Sequence, residues 1–108
     1  MEITETPILE VSLSNKDEEA VLIDSDKKVE EIVKALSSAT RRKILSYIQL
    51  EPADVSRIAQ DLDMTEANIS AQIKKLQKAG LIECNYKSGQ HGVRKISSLK
   101  FNRLLINF

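Results

Sequence analysis

Apolar and polar positions alternate near the start of the chain and then shift to helical spacing. Leu9, Val11 and Leu13 are separated by Glu10, Ser12 and Ser14, the period-two pattern of a half-buried strand. Asn15-Lys16-Asp17 supplies turn residues, and Ala20–Ile23 is a second short apolar run, so residues 8–23 are expected to form a hairpin. From Ser25, which can cap a helix, Val29, Ile32, Val33 and Leu36 fall at i, i+3, i+4 and i+7, one apolar stripe. Thr40 is read as the cap of a second helix that buries Ile44, Leu45 and Ile48. Asp54 opens a third, with Val55, Ile58, Ala59 and Leu62 at the same spacing. After the short turn Asp63-Met64, Thr65 caps a fourth, Glu66–Ala79, which Gly80 ends. Met64 and Ile69 occupy the two positions of a hydrophobic staple. Leu81–Lys87 then reads as a strand, Ser88–Gly92 as a flexible loop, Val93–Ile96 as the start of the return strand, and Leu104–Phe108 as a last strand.

Helix, short turn and helix over 54–79, followed directly by a hairpin, have the spacing of a winged helix-turn-helix. The fold class is therefore α+β. Residues 1–24 form an accessory hairpin, 25–100 the winged helix-turn-helix domain, and 101–108 an accessory C-terminal strand. In the fourth helix Ile69, Ile73 and Leu76 define the buried stripe, which leaves Ala67, Asn68, Ala71, Lys74, Lys75 and Lys78 on the opposite face. Its N-terminal half is small and polar. Asn and Gln bond adenine edges bidentately and alanine touches a thymine methyl, so Asn68, Ser70, Ala71 and Gln72 are candidate base-reading residues in a major groove. Thr40, Arg41, Arg42, Lys74, Lys75, Lys78 and, on the hairpin, Lys87, His91, Arg94 and Lys95 are candidates for contact with the phosphate backbone or the minor groove. Arg41, Arg42 and Lys43 crowd a helix N-terminus, where cations oppose the dipole, and a phosphate would compensate them.

The stretch Ser37-Ser38-Ala39-Thr40-Arg41-Arg42-Lys43-Ile44-Leu45 resembles the start-of-domain pattern of ArsR-type winged-helix transcription regulators. Ile58-Ala59 through Leu62, and Thr65-x-x-Asn68-Ile69-Ser70-x-x-Ile73-x-x-Leu76-x-x-Ala79-Gly80-Leu81-Ile82, continue the resemblance, which spans roughly 35–97 and is shared with MarR-like proteins. It implies a DNA-binding homodimer that represses transcription. The chain departs from the metal-sensing members, because Asp54–Leu62, where their cysteines lie, holds no Cys or His. It also leaves no room for the C-terminal dimerisation helix that many members use.

Composition sharpens this picture. The 108 residues are one domain's worth, with neither a membrane span nor a signal-peptide pattern, so a cytoplasmic protein is expected. One cysteine, Cys84, and one histidine, His91, provide no Cys/His metal cluster, and Cys84 is read as a buried, inert thiol. Carboxylate pairs such as Glu18-Glu19 and Glu30-Glu31 have no catalytic company, so no enzyme, catalytic residue or cofactor is expected. The net charge of zero hides two poles. Residues 1–36 carry 4 Lys/Arg against 10 Asp/Glu, while residues 37–108 carry 12 against 6, and the basic pole suits a polyanion. Leu9, Val11, Leu13, Leu104, Ile106 and Phe108 are left over from the winged-helix core and, with Val29 and Ile32 of the first helix, are assigned to a homodimer interface. The competing readings are a winged helix that contacts only proteins, and a regulator with a small-molecule effector, which no residue pattern indicates.

Overall fold

The computed structural model describes residues 8–90 and 92–108. The elements run β1 (Glu10–Ser14), β2 (Val21–Leu22), α1 (Asp26–Leu36), α2 (Ala39–Leu50), β3 (Ala53–Asp54), α3 (Val55–Leu62), α4 (Glu66–Lys78), β4 (Ile82–Gly89), β5 (Gly92–Leu99) and β6 (Arg103–Asn107). The N-terminal hairpin, the four helices, the wing and the last strand are thus where the residue pattern puts them. Two three-stranded antiparallel sheets flank the helices, one ordered β2-β1-β6 and the other β3-β5-β4. The wing and the terminal sheet draw the chain out to 55 × 27 × 26 Å.

Local chemistry sets the helix ends. Ser25, Ser38, Asp54 and Thr65 are the N-caps, each accepting from the backbone N–H three residues on. Thr40, expected to cap α2, instead lies inside its first turn, because Ser38 has the extended backbone that a cap requires. Helices α3 and α4 end alike. Met64 N–H bonds the Ala59 carbonyl and Asp63 N–H the Gln60 carbonyl; Leu81 N–H bonds Leu76 and Gly80 N–H bonds Gln77. Both ends are Schellman motifs with a left-handed residue, Asp63 at φ 55° and Gly80 at φ 79°.

Ile44, Ile48, Ile58, Ile69, Ile73 and Leu76 are buried at the centre of the core, so α2, α3 and α4 meet on their apolar stripes. In α1 the buried face is Val29, Ile32 and Ala35, and Val33 points outward. That stripe is therefore rotated from the one the spacing suggested, since the small Ala35 packs where α1 meets the core. Leu13 belongs to the core, and Ile23 and Leu104 pack against it, so the accessory strands are part of the domain's interior. Tyr47 on α2 donates to the Asp61 carboxylate on α3, and that bond holds the phenol above its ordinary value of 10.0. The phenol therefore keeps its proton, and can donate, where a free tyrosine would begin to ionise, and the donation ends as the pH rises through the raised value.

The wing differs from expectation at its tip. Strands β4 and β5 pair as far as Gly89 opposite Gly92, leaving two positions between them rather than a five-residue loop. The two-residue β3, which extends this sheet through Ala53–Ser97 and Asp54–Ile96, was not anticipated. Cys84 is half-buried, with its sulfur 3.5 Å from the hydroxyl of the fully buried Ser97.

The two left-handed helix ends yield opposite expectations. Gly80→Ala forces a Cβ into that conformation and should destabilise the chain by about 1–2 kcal/mol, whereas Asp63→Gly should leave stability equal or higher. Urea midpoints at constant m-value measure both.

Candidate nucleic-acid interface

Burial fixes which side of α4 faces out. Ile69, Ile73 and Leu76 are within 1% of full burial, and Glu66, Ala67, Asn68, Ala71, Lys74, Lys75 and Lys78 are exposed. Ser70 and Gln72 are half-buried on the flanks. The exposed face therefore runs from small and polar residues to lysines, and the lysines of the last turn lie at the negative end of the helix dipole. At the other end the Ser56 hydroxyl on α3 bonds the Glu66 carboxylate, tying together the two helix starts.

The arginines of α2 are already engaged within the chain. Arg41 donates from Nε to the Ala35 carbonyl at 2.7 Å and from Nη2 to the Lys34 carbonyl at 3.0 Å. Arg42 donates from Nη1 to the Leu36 carbonyl at 2.7 Å. These are the last carbonyls of α1, the negative end of that helix, and they supply the compensation that the residue pattern assigned to a phosphate. The third donor of Arg41, Nη1, reaches Gln72 Oε1 at 2.7 Å, and Gln72 Nε2 donates to Asn68 Oδ1 at 3.1 Å. A chain of hydrogen bonds thus runs from the end of α1 to the two amides of α4. Gln72 is held by both neighbours, and Asn68 keeps its amide nitrogen close only to the Met64 sulfur, at 4.0 Å.

On the wing, the register sorts the cations. Lys87 stands opposite Arg94 on one face, and Lys95 opposite Tyr86 on the other. Arg94 Nη1 lies 3.1 Å from Asp54 Oδ2. The other Asp54 oxygen caps α3 by accepting from Arg57 N–H at 2.8 Å, so Asp54 fastens the wing to the start of the helix-turn-helix. Arg94 keeps 62% of its side chain exposed. His91 lies outside the described residues, and Lys95 is half-buried. Tyr86 and Val93 are exposed on the wing beside Lys95 and were not picked out from the residue pattern; the strand alternation that groups them with Lys95 was the available signal. Lys34 was also passed over. It lines an open cleft of about 300 Å³ with Glu31, Ala35, Arg41, Lys75, Lys78 and Ala79, where α1 and α4 end side by side.

Comparison with known proteins places this geometry. A family model described as a helix-turn-helix domain matches residues 36–85. The crystal structure of an ArsR family transcriptional regulator is 30% identical over 68% of this chain and 76% of that one, with a TM-score of 0.57. The chain belongs to the ArsR family of winged helix-turn-helix transcriptional regulators. It is also similar to the homodimeric winged helix-turn-helix DNA-binding domain, fragment 1–100, of a possible ArsR-family regulator from Mycobacterium bovis, at 26% identity and a TM-score of 0.61. That match covers 68% of this chain, which spans 64% of the fragment. An ArsR-like transcriptional regulator from Rhodococcus sp. RHA1 is 28% identical over 64% of this chain and 62% of its own, with a TM-score of 0.56. Comparison with curated protein sequences finds no match. ArsR-family proteins are regulators and not enzymes. The expected dimer residues of this ArsR chain separate into two groups. Val11, Leu13, Val29 and Ile32 are buried by the chain itself, whereas Phe108 is fully exposed and Leu9, Leu104 and Ile106 are half-buried.

The engagement of Arg41 predicts its mutational behaviour. Arg41→Ala takes the side-chain donor from the Ala35 carbonyl and from Gln72 Oε1, while the Lys34 carbonyl keeps the Ser37 N–H and hydroxyl, and should cost about 1–2 kcal/mol, allowing for its partial exposure. Arg41→Lys should not restore the loss, because a point charge lacks the planar fork that serves three acceptors. Thermal unfolding of the three proteins, followed by circular dichroism, measures both effects.

Proposed function

We propose that this ArsR-family chain is a sequence-specific double-stranded-DNA-binding regulator of transcription that works in the cytoplasm as a homodimeric repressor. Helix α4 enters the major groove and the wing, Lys87–Lys95, lies along the backbone or minor groove. The observation that carries this reading is the outward face of α4, where Ala67, Asn68 and Ala71 give way to Lys74, Lys75 and Lys78 with no acidic residue after Glu66. Small residues allow close approach of the helix to base edges, and the lysines provide phosphate contacts that fix its register. The wing supports the same partner. Lys87 and Arg94 stand directly opposite each other, and Asp54 offsets only part of that repulsion, so a polyanion would relieve the rest. Among the described residues no helix is long and apolar enough to cross a membrane.

Within this reading Asn68, Ser70, Ala71 and Gln72 read bases, Gln72 while braced by Arg41. Lys74, Lys75, Lys78, Lys87, Arg94 and Lys95 serve phosphates. Arg41 and Arg42 contribute field and positioning more than direct contact, their donors being committed to α1 and Gln72. A homodimer suits the size of the site, since one winged helix offers a single recognition helix and half-sites spaced one helical turn require two.

Titration of duplex DNA at increasing salt tests this function. Binding should weaken along a straight log–log line, and Lys75→Ala and Arg94→Ala should each flatten its slope by about one unit on every sequence. Asn68→Ala should cost about 1–3 kcal/mol at a selected site and little on random DNA. Absence of salt-dependent duplex binding would favour a winged helix that contacts only proteins.

A further inference from the structure

Strand β6 is the end strand of the sheet β2-β1-β6. It pairs with β1 without a break from Ser14–Arg103 to Glu10–Asn107, and no strand among the described residues lies on its other side. Edge strands are usually guarded by charged side chains, above all lysine, by a proline, by a bulge or by extreme shortness. At the opposite edge β2 is guarded by being two residues long. Apart from the single charge of Arg103 at one end, β6 has none of these devices: it is five residues, Arg103-Leu104-Leu105-Ile106-Asn107, paired with β1 along its length and with three apolar residues at its centre. Leu105 is 49% exposed, Leu22 shares its cross-strand row through Ser12 at 67%, and Phe108 just beyond is fully exposed.

We infer that this edge is the seam of the homodimer, with β6 pairing antiparallel to β6 of a second copy about a two-fold axis at Leu105 to give one six-stranded sheet. The inference rests on the homodimer reading above and specifies its surface. A second copy fits because the strand is complementary to itself in this register. Leu105 meets Leu105, Leu104 meets Ile106, and Arg103 meets Asn107, so apolar positions face apolar ones and the polar residues fall at the two ends. The faces also continue across the seam, because Val11 and Leu13 share their face with Ile106 and Leu104 in each chain. Charge completes the match. Arg103 has no ion-pair partner among the described residues, and Asn107 holds Glu10 through a 2.9 Å hydrogen bond. Pairing sets Arg103 of one copy in a row with Asn107 and then Glu10 of the other. At about 4.8 Å per strand, the Glu10 backbone is about 10 Å away, within reach of the two long side chains. The two-fold axis supplies this contact twice.

Cysteine cross-linking of the full chain in a Cys84→Ser background tests both the seam and its register. Leu105→Cys should be converted almost wholly to a disulfide-linked dimer by mild oxidation, because residues that face themselves across an antiparallel pair lie about 4.5–5.5 Å apart at Cα. Arg103→Cys alone should not cross-link, since its copies stand about 13 Å apart along the strand, whereas Arg103→Cys combined with Asn107→Cys should. Leu105→Lys installs the missing guard and should turn the sedimenting species from dimer to monomer with an unchanged circular dichroism spectrum. A chain that sediments as a dimer but neither cross-links at Leu105 nor responds to Leu105→Lys would overturn the seam and leave the homodimer reading standing. A monomeric unmodified chain at micromolar concentration would overturn both, and the salt titration decides DNA binding separately from either.

Discussion

The rotation of α4 about its own axis is the constraint on which the site depends. A helix has 100° per residue to distribute, so three buried positions at i, i+4 and i+7 leave no freedom in what the other side presents. Ile69, Ile73 and Leu76 are those positions, and they pack into a core already filled by Ile44, Ile48 and Ile58. Met64 clamps the start of the helix and the Gly80 turn closes its end, which fixes its position along the axis as well. Asn68, Ala71 and Lys75 then face outward as a geometric consequence of apolar packing. Core residues therefore set the orientation of those proposed to meet DNA.

Electrostatics adds a second layer through the junction of α1 and α2. Two consecutive arginines at a helix N-terminus are unfavourable taken alone, yet the preceding helix ends beside them with last-turn carbonyls that no further helical turn serves. Arg41 and Arg42 resolve both problems at once by donating to Lys34, Ala35 and Leu36. The Nη1 donor of Arg41 is left for Gln72, so the end of α1 and the amide row of α4 share one guanidinium. A displacement of α1 relative to α4 would have to break or drag that contact.

Much of this was legible in the residues because it is local. Apolar periodicity located every helix, Asp54 and Thr65 stood out as caps, and alternation in 8–23 and 81–96 gave both hairpins. The errors fall where a decision depends on distant atoms. Thr40 and Ser38 are both good caps, and only the path of the chain from α1 selects Ser38. The buried stripe of α1 takes in Ala35 and leaves Val33 outside, a choice set by the helices and strands packed against it. The expected phosphate role of Arg41 and Arg42 could not foresee carbonyls presented by another helix. β3 is two residues long and exists only through β5, so it has no pattern of its own. The apolar residues of β1 and β6 were correctly read as strand faces. Their burial within the chain depends on the register between segments about ninety residues apart.

The charge distribution takes on a more specific meaning in this fold. The excess of cations after residue 36 suggests a uniformly basic surface, but the structure divides those cations by task. Arg41 and Arg42 are bound to α1, Arg57 approaches Glu51 at 3.6 Å, and Arg94 leans on Asp54. The lysines of α4 and Lys87 have no ion-pair partner among the described residues. Guanidinium groups are planar and multiply donating, which suits them to fixed internal acceptors. Ammonium groups on flexible stems suit a ladder of phosphates, where no single geometry is required. Arg41, Arg42 and Arg57 are thus spent on the scaffold, Arg94 braces the wing while staying 62% exposed, and the lysines remain available to a polyanion. A polyanion held this way would therefore be bound by residues whose charge can be removed without disturbing the fold. Loss of Arg41 or Arg42, by contrast, alters the platform on which those lysines stand.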